Sequence, residues 1–162
     1  MPPHPDPDTL GFVLIDVARM LRSAFERRIA TAGLGLTPGE ARALLRIAAL
    51  KGSRQFDIAR QMGIEPMTLS TYLDRLQSLG LIERRPDPTD RRAKLIFTTP
   101  AADDLIADIR EEQAELMQHV TSGIDETELA IMHDRLRRMR ANLVALEEDN
   151  AALALARETG RT

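Results

Sequence analysis

The feature that most constrains this 162-residue chain is a change of periodicity near residue 80. Up to Leu79-Gly80 the apolar residues recur at helical spacing. Beyond it, Leu81-Ile82-Glu83-Arg84-Arg85 and Lys94-Leu95-Ile96-Phe97-Thr98 are short β-prone runs. Between them, Pro86-Asp87-Pro88-Thr89-Asp90-Arg91-Arg92 is polar and turn-rich, so the two runs predict a hairpin with an extended basic tip. Upstream, the pattern predicts a short helix from about Arg54 to Met62, a tight turn at Gly63-Ile64, and a helix opened by Pro66. Ile64, Leu69, Leu73, Leu76 and Leu79 are its expected buried side. Two short helices at a tight turn followed by a hairpin make a winged helix-turn-helix.

Helices flank this region on both sides. Leu10, Leu14, Val17, Ala18, Leu21, Phe25 and Ile29 predict an amphipathic helix ending near Gly33 and Gly35. Thr37-Pro38-Gly39-Glu40 has a capping-box pattern and opens a helix expected to bury Ala41, Leu44, Leu45 and Ala48. Thr99-Pro100 opens another, with Asp103 and Asp104 at the positive end of its dipole. Asp125 and Glu128 form a second capping box before the last helix. There Leu129, Met132, Leu136, Met139, Leu143 and Leu146 alternate spacings of three and four, an a/d seam longer than a small core needs. The seam points to a partner chain, the alternative being a helix packed on its own domain.

The fold class is therefore mainly α with a small β-hairpin wing, a winged helix-turn-helix embedded in a helical dimerisation domain. The expected division is a flexible leader at 1–8, an N-terminal dimerisation helix at 9–36, the winged region at 37–99, C-terminal dimerisation helices at 100–157 and a tail at 158–162.

Composition narrows the function. The chain has no Cys, which removes disulfides, thiolate metal ligands, catalytic thiols and thiol redox sensing. Met1 to Asp8 lacks the basic and apolar regions of a signal peptide, and no apolar stretch approaches a membrane span. A cytoplasmic protein without membrane contact is expected. The net charge of −3 hides an uneven distribution: residues 1–53 and 54–94 each carry +2, whereas residues 95–162 carry −7. The middle segment ends in a basic cluster, and the acidic helices are expected to face away from any phosphates. Phosphate-binding glycine loops, nucleophile elbows and paired catalytic carboxylates are absent from the sequence, so an enzyme is not expected and no cofactor is implied. His119 and His133 lack a compact ligand spacing, so no metal site is expected.

A helix of this length fits the B-DNA major groove, and the hairpin fits an adjacent minor groove or phosphates. Thr68, Ser70 and Thr71 in its first turns have hydroxyls able to meet base edges or phosphates, the alternative being a capped and solvated helix face. Ser53, Arg54 and Gln55 begin the preceding helix, where contact with the DNA backbone is expected. Arg91 and Lys94 read as phosphate contacts; the roles of Arg84 and Arg85 stay open, with bracing of the hairpin one reading.

The runs Gly63-Ile64-Glu65-Pro66-Met67-Thr68-Leu69, Leu73-Asp74-Arg75-Leu76, Gly80-Leu81-Ile82-Glu83-Arg84, Asp90-Arg91-Arg92-Ala93-Lys94 and Thr98-Thr99 resemble the MarR family of bacterial transcriptional regulators, nearest to its SlyA-like branch. The resemblance covers roughly residues 10–146, and the wing is its most specific part. It implies a homodimer with interlocked terminal helices, each subunit placing a winged helix on half of a pseudo-palindromic operator in double-stranded DNA. It further implies release by a small aromatic or anionic ligand, a phenolic or carboxylate effector. Asp90 and Arg92 correspond to the family's wing aspartate and arginine. A guanidinium suits the narrow minor groove of A·T-rich DNA, and a neighbouring carboxylate can hold it in position. Asp74 and Arg75 match the family pattern, Arg75 at the DNA and Asp74 in a structural salt bridge. Thr71 stands where many relatives have Arg, and Glu40-Ala41 where many have Gln-Trp. The lost indole opens space for a ligand pocket at Ala41 and Arg42, or is repacked by Met20 or Phe12. The rival reading is a protein-interaction module that uses the seam and winged domain for docking.

Overall fold

The computed structural model describes Asp6, residues 8–90 and residues 92–159, with side chains as far as Ala151. Arg91, most of the leader and the end of the tail lie outside the described residues. Element order is α1 (Leu10–Thr31), α2 (Pro38–Leu50), β1 (Ser53–Arg54), α3 (Gln55–Met62), α4 (Pro66–Ser78), β2 (Ile82–Pro86), β3 (Lys94–Thr98), the 3-10 turn Pro100–Ala102, α5 (Asp103–Val120) and α6 (Glu126–Thr159). Two compact units result, one ending at Gln118 and one starting at His119.

In the first unit, α2 carries the core. Thr37 accepts from the Glu40 amide and Glu40 accepts from the Thr37 amide, the reciprocal capping box the sequence predicts, an N-cap worth about 1 kcal/mol. Its inward stripe is Ala41, Ala43, Leu44 and Ile47. Leu45 and Ala48, expected inside, are half-buried, because the stripe is rotated toward Ala43 and Ile47. Leu69, Leu73 and Leu76 of α4 join the same core at 0% exposure, with Ile58 from α3 and Ile82 and Ile96 from the strands. Leu79 is instead 41% exposed: α4 ends at Ser78, and the chain turns away through Gly80 at φ 72. Arg28 of α1 donates through Nε to Glu112 of α5 at 2.7 Å and pairs with Glu115, tying those two helices.

The sheet has three antiparallel strands in the order β1-β3-β2, so β3 is central. Arg84 lies opposite Ile96 and Pro86 opposite Lys94, while Ser53 pairs with Ile96 from the other side. The two-residue β1 is where sequence alone places the start of a helix; a strand that short has no period to read. Entry to it is abrupt. The chain leaves α2 through Lys51 at φ 47 and Gly52 at φ 96, both left-handed.

In the second unit, Asp125 Oδ1 accepts from the amides of Thr127 and Glu128, and Glu128 Oε2 accepts from the Asp125 amide. This capping box opens α6, of 34 residues. Along its seam, Leu129 and Met139 are half-buried, whereas Met132, Leu136, Leu143 and Leu146 are exposed in the single chain. Among the described residues, no helix is long and apolar enough to cross a membrane.

A Cβ at Gly52 would lie 2.4 Å from the Phe97 ring, and φ 96 disfavours any side chain there. Gly52→Ala is expected to cost about 1–3 kcal/mol of unfolding free energy in a urea titration.

Candidate nucleic-acid interface

The helix-turn-helix closes at Gly63, φ 63, where the Ile64 amide donates to Ala59 O at 3.1 Å. Leu69, Leu73 and Leu76 point inward, so the spacing of the helix sends Thr68, Thr71 and Arg75 outward, and all three are exposed. Ser70 is half-buried beside the wing. The Thr71 hydroxyl donates to Met67 O at 3.3 Å, an i−4 bond to its own helix. No side chain caps the first turn of α4, which leaves backbone N–H groups at the positive end of the dipole. Gln55, expected at phosphates, donates through Nε2 to Pro66 O at 3.2 Å and ties α3 to that turn.

The wing is organised by a residue that sequence reasoning did not single out. Asp87 is buried at 6% exposure. Its Oδ1 accepts from the Thr89 amide (2.8 Å) and hydroxyl (2.7 Å), while its Oδ2 accepts from Arg54 Nε at 2.8 Å and lies 2.6 Å from Arg54 Nη2. Four donors on one carboxylate hold it ionised. The Thr89 and Arg54 hydrogen bonds lower its pKa from the ordinary 3.8 to about 2, and the same pair raises that of Arg54. Arg54 is thus not simply a basic group at the surface: it starts on β1 and clamps the base of the wing. The Asx turn at Asp87-Pro88-Thr89 is the sequence signal that could have revealed this.

Asp90 and Arg92 sit together at the tip, but not as an ion pair. Asp90 Oδ1 accepts from the backbone amide of Arg92 at 3.0 Å, and Asp90 Oδ2 lies 3.8 Å from Arg54 Nη1. The carboxylate shapes the turn, and the Arg92 guanidinium is exposed. A half-open cavity of about 500 Å³ between wing and α4 is lined by Arg92, Lys94, Arg54, Ser70 and Arg84, with Phe56 at its edge. Ser53 contributes backbone pairing to Ile96. Arg84 braces the hairpin against α4, donating to Asp74 Oδ1 (2.7 Å) and Gln77 Oε1 (2.8 Å), so Asp74 makes its expected salt bridge. Arg85 pairs with Glu83, and its guanidinium lies 4.6 Å from the Phe97 ring centroid. Two exposed apolar side chains also escaped sequence reasoning, Phe56 at 64% and Met67 at 80%.

The sequence profile of the MarR family matches residues 34–93, from the loop before α2 through the wing. Transcriptional regulator PA3341 is 38% identical over 85% of this chain and 99% of its own, with a TM-score of 0.72. The chain belongs to the MarR family. A structure of MarR matches at 26% identity over 91% of this chain and 99% of its own (TM-score 0.73). One of the transcriptional regulator SlyA matches at 29% over 83% and 94% (TM-score 0.66), in line with the expected likeness to that branch. In this MarR-family chain, then, the winged helix-turn-helix is the DNA-binding part.

A second cavity, also about 500 Å³, lies within the first unit among α1, α2, α3 and α5. Of the four residues expected at a ligand pocket, Arg42 lines it. Ala41 is instead fully buried in the core, and Phe12 and Met20 are 49% and 60% exposed outside the lining. The α2 register explains this: Ala41 lies on the inward stripe and Arg42 one step around the helix. Arg42 donates through Nη2 to Met62 O at 3.3 Å, and Nη1 lies 3.6 Å from Glu26 Oε1.

Since the Asp87 pKa falls on folding, its carboxylate stabilises the native state above pH 3.8, and that contribution disappears as pH drops toward 2. Asp87→Asn is therefore expected to be less stable than wild type at pH 7 in urea unfolding. The difference should narrow between about pH 4 and pH 2, with a constant difference contradicting the clamp.

Proposed function

We propose that this chain is a homodimeric repressor that binds a pseudo-palindromic operator and is released by a small aromatic or anionic ligand. The observation that carries the reading is the groove between wing and α4, where Arg92 and Lys94 line one cavity with Ser70. Each α4 enters a major groove, the two half-sites lying about 10 bp apart centre to centre. Thr68, Ser70 and Arg75 meet base edges or phosphates, and Met67 offers an apolar contact to a thymine methyl. Thr71, its hydroxyl turned inward, contributes its methyl. Arg92 enters the minor groove, while Lys94, Arg91 and the residues at Ser53 contact phosphates.

Homodimerisation is supported by the exposed seam of α6, whose Leu136, Leu143 and Leu146 have no cover in the single chain. Release by a ligand is supported by the cavity at Arg42, whose walls include helices from both the DNA-binding and the flanking parts of the first unit. A ligand there shifts the population only through unequal affinity for DNA-compatible and incompatible arrangements. A regulator of the same fold and 21% identical, BpsR of Bordetella bronchiseptica, has its DNA binding regulated by 6-hydroxynicotinic acid. Such a protein acts in the cytoplasm and without enzymatic turnover.

Arg92→Ala, titrated against the protein's own upstream DNA at several salt concentrations, is expected to bind about tenfold or more weakly, with a salt slope reduced by about 1. Unchanged affinity and slope refute the wing assignment. Thr68→Ala should lose discrimination among operator variants; a uniform loss assigns that hydroxyl to a phosphate instead. Truncation after Ala141 is expected to give a monomer in sedimentation equilibrium, and a persisting dimer refutes the seam.

A further inference from the structure

The cavity at Arg42 carries more positive charge than a single acid group calls for. Three guanidiniums, those of Arg22, Arg42 and Arg46, enter its wall beside the neutral amides of Gln61 and Gln113, and no carboxylate lines it. Glu26 stands 3.6 Å from Arg42 and offsets one charge. Arg22 and Arg46 make no hydrogen bond or ion pair with any described side chain. The crowding is felt at Arg42, whose pKa is pushed down by burial first, then by the charge of Arg22, with Arg46 adding to it and Glu26 opposing. The rest of the wall is apolar, with Phe25, Leu45 and Leu116 among its residues. A volume of about 500 Å³ suits a small organic molecule.

With Glu26 offsetting one of the three charges, a monocarboxylate in this cavity satisfies one fork and leaves a further guanidinium unmatched. Two acidic groups on one frame engage the half-buried Arg42 and the exposed guanidiniums of Arg22 and Arg46 together, each through paired N–H···O bonds. We infer that the cavity selects a dianion on an apolar frame, an aromatic dicarboxylate or an aryl phosphate monoester, over the corresponding monoanion. The inference rests on the effector reading above and names the class of ligand that the site takes. Both chemistries share the required charge, since a phosphate monoester carries about −1.5 to −2 at neutral pH.

The test is calorimetric titration of the full chain with benzoate, isophthalate and phenyl phosphate at one ionic strength. At least one dianion is expected to bind about tenfold or more tightly than benzoate, and the ratio between the two dianions identifies the acid group. Arg22→Gln and Arg46→Gln, both at exposed positions, are each expected to narrow the preference to about threefold or less. Benzoate binding as tightly as both dianions overturns the inference. So does the absence of binding by either dianion at millimolar concentration, or a preference that survives both substitutions. A dianion that binds with the expected preference but leaves operator affinity unaltered upholds the ligand class and refutes its role as effector, so the two readings fail separately.

Discussion

The way α4 is seated on α2 determines what this protein can present to DNA. Leu69, Leu73 and Leu76 are fully buried with Leu44 and Ile47, and burying each leucine contributes about 1.5–3 kcal/mol. Fixing that face fixes the opposite one, because helical spacing leaves Thr68, Thr71 and Arg75 no other direction. At Gly39 in the first turn of α2, an added Cβ would fall 2.5 Å from the Tyr72 ring, so the phenol end of Tyr72 lies over the glycine. The outward face of α4 is thus a by-product of core packing.

Charge in the wing segment follows a different logic from its composition. Arg54, Arg84 and Arg85 are engaged by Asp87, Asp74 and Glu83, and their role is to hold strands and turns in place. Exposed pairs such as Arg85 with Glu83 contribute little to stability; Arg54 with Asp87 differs because the carboxylate is buried and fully hydrogen-bonded. Arg75, Arg92 and Lys94 are exposed. Basic residues that look alike in the sequence divide into those that build the interface and those that present charge from it.

Much of this was legible in the sequence. The capping boxes at Thr37 and Asp125, the turn at Gly63 and the change from helical to alternating period near Gly80 are local signals, and they place the helices and hairpin within a residue or two. What escaped reading depends on partners distant in sequence. Ser53 and Arg54 become a strand only because Ile96 and Leu95 pair with them. Asp87 becomes the anchor of the wing only because Arg54, 33 positions earlier, reaches it. Of the residues expected at a pocket, Ala41, Arg42, Phe12 and Met20, the rotation of α2 leaves Arg42 on the cavity wall, joined there by Arg22 and Arg46, which the sequence did not single out. Periodicity locates a helix well but fixes its rotation poorly, and on a helix the neighbour of a core residue is a wall residue.

The clamp at Asp87 has an evolutionary corollary. It grips the hairpin at its base, where Asp87 also donates its amide to Ala93 O at 3.1 Å and closes the loop. Within that closure Thr89 belongs to the clamp through its amide and hydroxyl on Asp87, whereas the exposed guanidinium of Arg92 has no part in it. A binding loop secured at its root can change its tip without refolding its support. The side chain at position 92 can therefore change while the scaffold that carries it is inherited intact.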